Sequence, residues 1–136
     1  MLIDDFTSAA DGGSPRALEL FWWQGYSSRY YLASVFSLKN FVCLERGTFV
    51  LVRREPTGER TPLLAGAAAS ISDDLYDLHG DAVLRAIRAG ATEIHVNFTA
   101  ESRTRQQEML DDIAAGWSVP VVGTPAPAKA FARVHA

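Results

Sequence analysis

Cysteine is nearly absent from this 136-residue chain: Cys43 stands alone. Neither an internal disulfide nor a cysteine-based zinc site can form from one thiol, and the plain reading of Cys43 is a small buried hydrophobe. Basic charge is also scarce. Thirteen Lys+Arg against sixteen Asp+Glu leave a formal charge of −3 and a pI near 5.5. No global field therefore draws in nucleic acid or an anionic membrane surface, although a local patch is compatible with these totals. No apolar run approaches the roughly 20 residues that span a bilayer. The stretch Met1 to Gly13, carrying Asp4, Asp5 and Asp11, lacks the basic and apolar segments of a secretory signal. A cytoplasmic protein without membrane contact is the expectation. The length and 48% hydrophobic residues against 21% charged suit one globular domain with one core.

The Gly12-Gly13-Ser14-Pro15 breaker ends a tail at residues 1–15, and residues 123–136, rich in Ala and Pro, form a second tail. Between them, residues 16–122 read as a single domain. Its first part is aromatic: Phe21, Trp22, Trp23, Tyr26, Tyr30, Tyr31, Phe36 and Phe41 are eight of the chain's fourteen aromatic residues. Arg29 to Leu38 reads as a strand with Tyr31, Ala33 and Val35 on one face. Gly47 to Arg54 is almost continuously apolar, as a strand buried on both faces would be. Turn residues Glu55 to Glu59 join it to a strand over Thr61 to Gly66, giving a hairpin.

Beyond Gly66 the period becomes helical. Ser70 or Ser72 caps a helix with Asp73 and Asp74 in its first turn, where the dipole favours acids, and Leu75 and Leu78 on its apolar side. A second helix over about Asp81 to Ala89 carries Val83, Leu84 and Ile87 and ends at Gly90. Thr92 to Phe98 alternates as a half-buried strand, with Ile94, Val96 and Phe98 on one side and Glu93, His95 and Asn97 on the other. A last helix, opened by Thr99 or Ser102, presents Gln106, Met109, Leu110, Ile113, Ala114 and Trp117, with Pro120 beyond its end. Strands followed mostly by helices predict an α+β fold: a small antiparallel β-sheet flanked by helices, with an aromatic-rich N-terminal extension.

From Phe36 to Val122 four ordered phrases resemble the GIY-YIG nuclease-like domain, in a degenerate form close to one bacterial branch. Gly47-Thr48-Phe49 stands where the first triplet falls and Leu64-Ala65-Gly66 where the second falls. Gly90 to Val96 resembles the start of that branch's third strand, and Asp112 to Pro120 resembles its last helix and the turn after it. The resemblance covers about two-thirds of the chain, and each phrase alone is common. It implies an Arg on the first helix that contacts the scissile phosphate, a Glu on the last helix that binds a divalent metal, and triplet tyrosines that hold phosphate or activate water. Phosphodiester hydrolysis builds negative charge on the phosphoryl oxygens, which a guanidinium and a hard cation stabilise.

The sequence departs from that pattern at nearly every such position. Between Leu63 and His79 there is neither Arg nor Lys, and the expected Arg zone contains Asp73 and Asp74. Leu64 replaces one tyrosine, and Phe49 keeps the ring of another without its hydroxyl. The metal-binding Glu aligns with Leu110. Glu108 lies about 200° around the helix from there and Asp111 about 100°, so Asp111 with Glu108 is the candidate relocated metal site, in which Mg or Mn would be the cofactor of an active nuclease. The plainer reading of these acids, with Asp112, is a solvated helix face. Thr48, Phe49, Leu64, Gly66, His79 and Leu110 thus mark a degenerate pocket, with no catalytic residue and no cofactor expected.

Two further sets are candidates. Trp22, Trp23, Tyr26, Tyr30 and Tyr31 form either core or a contact patch for a protein partner or a second copy; a base-stacking platform would also need a cationic groove. Arg53, Arg54 and Arg60 flank the hairpin turn as the candidate nucleic-acid patch, or as guards of a strand end. His95 with Glu93 and Asn97 is a small polar set that any half-buried strand would show, and His79 before Gly80 reads as a surface or helix-end residue. The expectation is a catalytically inactive GIY-YIG-like domain serving as a protein-binding or assembly module. Two alternatives stand beside it: a non-cleaving nucleic-acid-binding module and a metal-dependent nuclease with relocated acids.

Overall fold

A computed structural model describes residues 19–39, 41–77, 79–98 and 102–122. The tails expected at 1–15 and 123–136, together with Arg16, Leu78 and Thr99, lie outside the described residues. In chain order the elements are β1 (Glu19–Gln24), β2 (Tyr30–Ser37), β3 (Gly47–Arg54), β4 (Arg60–Ala68), α1 (Ile71–Asp77), α2 (Gly80–Arg88), β5 (Glu93–Asn97), α3 (Arg103–Trp117) and β6 (Val121–Val122). The architecture is mixed α+β, with a six-stranded, mostly antiparallel sheet and three helices. The sheet runs β1-β2-β5-β3-β4-β6, antiparallel throughout except where the short β6 lies parallel to β4.

Alternation along each strand sends side chains to two faces, and both faces are packed. On one, Phe36, Phe49, Leu51, Leu64, Ile94 and Val96 meet Ile71 and Leu75 of α1 and Val83 and Ala86 of α2. On the other, Trp23, Ala33, Val50, Val52, Ala65 and Ala67 meet Met109, Leu110 and Ile113 of α3. β3, buried through its first six residues, matches the two-sided burial expected of its apolar run. β5 does not behave as a half-buried strand. All five of its residues are buried, including Glu93, His95 and Asn97, because α3 and the aromatic side chains of β1 cover the face that alternation assigned to solvent.

The ends of α3 follow its sequence. Ser102 caps α3 by accepting from the Arg105 amide at 3.1 Å, and α3 ends where Ser118 takes a left-handed conformation. At α1 the Ser70 carbonyl accepts from the Asp74 amide, and Asp74 accepts from the Ala69 amide. Ser72 instead ties α1 to the preceding loop: its hydroxyl accepts from the Cys43 amide at 2.7 Å and its amide donates to the Cys43 carbonyl. Cys43 is half-buried against the α1/α2 core, and burial pushes its thiol pKa up.

A bulge in β4 decides what faces α3. Leu51 pairs with Leu64 but Val52 pairs with Pro62, so Leu63 is the extra residue. A one-residue slip exchanges the two faces for everything beyond it. Ala65 and Ala67 face α3; uninterrupted alternation would turn Arg60 to the opposite side. The bulge brings Arg60 round to the side that carries Glu93 and His95.

Candidate functional site

The largest polar constellation lies on the α3 side of the sheet, built from four strands. At its centre is Glu93 on β5, with a side chain only 9% exposed. Arg60 of β4 donates to it through Nε at 2.8 Å, and Arg54 of β3 donates through a terminal nitrogen at 3.1 Å. Arg60, itself 6% exposed, also reaches Glu19 of β1 at 3.0 Å and stacks over the Phe21 ring with its guanidinium carbon 4.9 Å from the centroid. One guanidinium thereby links β4 to β1 across three intervening strands.

His95 completes the set. The indole Nε1 of Trp23 is a donor only and lies 3.0 Å from His95 Nδ1, so Nδ1 accepts. The neutral ring then carries its proton on Nε2, which donates to Glu93 at 2.9 Å. Burial pushes the His95 pKa down, and the attraction of Glu93 recovers only part of that shift. For Glu93, burial raises the pKa, but hydrogen bonds from Arg60, His95 and Arg54 prevail and hold it at about 2. Across the neutral range the site is a carboxylate, two guanidinium ions and an uncharged imidazole, each bonded within the set.

Beside His95 a cavity of about 10 Å³ is lined by Trp23, Tyr31, Thr48, Asn97, Met109 and Ile113, among others, which is room for roughly one water molecule. Among the described residues no buried side-chain nitrogen or oxygen lacks a hydrogen-bond partner.

A second polar centre was invisible in the sequence. Asp112 on α3, read there as part of a solvated face, accepts from the Ser27 amide at 2.8 Å, the Ser27 hydroxyl at 2.6 Å and the Tyr31 hydroxyl at 2.7 Å. Its own carbonyl accepts from the Tyr26 amide. Burial acts to raise its pKa, and the bonds from Ser27 and Tyr31 overcome that and lower it. These bonds clamp the β1–β2 turn to α3. The contact is so close that a Cβ on Gly116 would lie 3.0 Å from the Tyr26 nitrogen. The only hint in the sequence was a serine-rich turn between aromatic strands, which names no partner.

The degenerate-pocket positions do not share one cavity. Phe49, Leu64 and Gly66 belong to the α1/α2 face, whereas Thr48 and Leu110 belong to the α3 face, and His79 sits half-buried at the junction of α1 and α2. Thr48 donates to the Met109 sulfur at 3.9 Å. Glu108 is exposed, and Asp111 accepts from the Gln107 amide side chain at 2.8 Å. Among the described residues no three His, Cys, Asp or Glu side chains converge as metal ligands. Arg53 pairs with Glu55 at 2.8 Å, so all three arginines of the candidate nucleic-acid patch are engaged by carboxylates.

The aromatic set is divided by alternation. Trp23 is 1% exposed while its neighbour Trp22 is 57% exposed. Tyr26 and Tyr30 are exposed, and Tyr31 is half-buried against Asp112. Trp22 and Leu20 point to the same side of the sheet as Leu32, Phe36 and Phe98. On that side α1 and α2 pack chiefly on β3 and β4, with Phe36 near the end of β2 and Ile94 and Val96 of β5 in the same core. Among the described residues no helix packs on β1 on that side, and Leu20, Trp22, Tyr30 and, just after β5, Phe98 are open to solvent. Among the described residues no helix is long and apolar enough to cross a membrane. Comparison with protein-family models, with curated proteins and with solved structures finds no match.

Proposed function

We propose that this chain is a non-catalytic binding module that docks another polypeptide, or a second copy of itself, on the β1 side of its sheet, on the face that carries Leu20 and Trp22. The observation that carries the reading is the set of exposed apolar side chains there, Leu20, Trp22, Tyr30 and Phe98, beside the outer edge of β1, which pairs with no further strand among the described residues. Exposed apolar surface of this kind is what protein contacts use. An edge strand also offers unpaired amides and carbonyls to an added strand. The usual guards against such pairing are lysine and proline, and β1, Glu-Leu-Phe-Trp-Trp-Gln, has neither. Its one charge, Glu19, is turned to Arg60.

The resemblance to a degenerate GIY-YIG domain supports the non-catalytic half of the reading by subtraction. The implied Arg zone holds acids, and the implied metal ligand is Leu110, buried in the core. The alternative of nucleic-acid binding draws on Trp22 and Tyr30 as stacking surfaces. It is the weaker reading, because the three arginines of the candidate patch, Arg53, Arg54 and Arg60, are spent on Glu55, Glu93 and Glu19. The third, metal-dependent cleavage by relocated acids, has only Asp111 and Glu108 to draw on.

Trp22→Asp tests the proposal, since an exposed tryptophan contributes little to the core. Wild type and variant are compared by sedimentation across concentration and as baits for partner capture. Loss of assembly or of a captured protein in the variant, with an unchanged melting temperature, is the expected result. Identical behaviour of the two proteins refutes the docking surface. Single-stranded DNA binding that weakens with salt would favour the nucleic-acid reading instead.

A further inference from the structure

We infer that His95 is a proton-operated latch on the edge strand β1. Trp23 is the residue by which β1 is anchored: it is buried against α3, edge-on to Trp117 and Phe21, and its indole donates to His95 Nδ1. That bond exists only while Nδ1 is unprotonated. A proton added to the ring must go to Nδ1, since Nε2 already donates to Glu93. The indole N–H and the new Nδ1–H then face each other as two donors with no acceptor between them. The indole must turn away, and the strand that carries it loses its buried anchor.

Burial favours the neutral ring, against the pull of Glu93 and Glu19 and with the help of Arg60. On β5 itself Glu93 would welcome a cation, but it is already paired with Arg60 of β4 and Arg54 of β3, and Arg60 adds its own charge close by. Glu19 of β1 is likewise held by Arg60. β2 contributes Val35 opposite His95, and Tyr31, whose hydroxyl is bonded to Asp112. α3 contributes Met109 and Ile113 and no titratable group to the cavity beside the ring. Opening β1 returns His95 to water, where its pKa is ordinary, so opening takes up a proton. That the latch would also govern docking rests on the binding surface proposed above; the latch itself does not.

Amide hydrogen exchange on the full chain tests it. Because opening is linked to one proton, the protection factors of β1 amides should fall about tenfold between about pH 7.5 and about pH 5.5. They should stay level in His95→Gln, and β3 amides should remain better protected than β1 at both values. Unchanged β1 protection, the same fall in His95→Gln, or β1 and β3 exchanging only together would overturn the latch. If His95→Gln does not fold, ring-nitrogen NMR of the wild type decides. The neutral Nε2–H tautomer persisting below about pH 6.5 supports the latch, and an Nδ1–H tautomer or ordinary titration refutes it. Failure of the docking surface would show in Trp22→Asp and leave these exchange rates unaltered.

Discussion

Replacing Glu93 by leucine should be among the most damaging single changes in the molecule, and its size can be worked out in two ways. Arg60 is 6% exposed and keeps Glu19 as a partner, yet loses its shortest contact, the 2.8 Å bond to Glu93. Arg54, 44% exposed, can turn to water at little cost. His95 loses the acceptor for its Nε2 proton inside the core. Removing one member of a buried ion pair typically costs about 3–5 kcal/mol, because the remaining charge is stranded. Independently, a carboxyl held at about 2 instead of 4.5 carries on the order of 3 kcal/mol of stabilisation at neutral pH. Urea denaturation of Glu93→Leu should therefore show a loss near 3 kcal/mol. The double variant Glu93→Leu/Arg60→Met, which strands no guanidinium, should recover about half of it, since replacing both partners by apolar groups is often close to neutral. A loss below about 1 kcal/mol, within the range of a solvated surface pair, would refute the view that this network is buried and mutually dependent.

Other consequences follow from the same buried groups. The folded pKa of His95 lies below its unfolded value, so the unfolded chain binds the proton first, and stability should decline as pH falls below about 6.5. Glu93 adds a second decline from about 4.5 towards 2, and thermal melts of wild type against His95→Gln would separate the two. Asp112→Ala should lose about 1–3 kcal/mol as Ser27 and Tyr31 lose their acceptor, with increased exchange at Tyr26 to Arg29. Leu110→Ala, at a site 1% exposed, should cost about 2–5 kcal/mol in denaturant titration. A loss under about 1 kcal/mol would show that Leu110 is not part of the core. Incubation of DNA with the chain and Mg²⁺ or Mn²⁺ should give no cleavage, and cleavage abolished by Asp111→Ala would establish the nuclease reading.

What could be read from the residues alone was mostly the elements whose pattern is local. The apolar run of β3, the turn at Glu55 to Glu59 and the Ser102 cap each state their structure within a few positions, and the observed boundaries lie close to those expected. β1 looks like an aromatic extension and not a strand, since Phe21, Trp22 and Trp23 in succession show no polar alternation. Its tryptophans part company only because one side of the sheet has a helix over β1 and the other has none. The polar centre was misjudged for a related reason. Glu93, His95 and Asn97 alternate as surface residues do, and the partners that make them tolerable inside are 33 to 72 positions away in sequence. Arg60 reaches them only through the bulge at Leu63, and alternation cannot announce where it will skip.

The two margins of the sheet are unlike, and that limits how copies could join. Along β4, Pro62 has no N–H to give, and β6 occupies the backbone groups beside Ala65 and Gly66. Among the described residues only β1 presents a full-length row of main-chain partners. A protomer with two receptive margins can add subunits without end, as fibrils do. With one, a two-fold pairing uses up the sole receptive margin of both molecules, and growth stops at two.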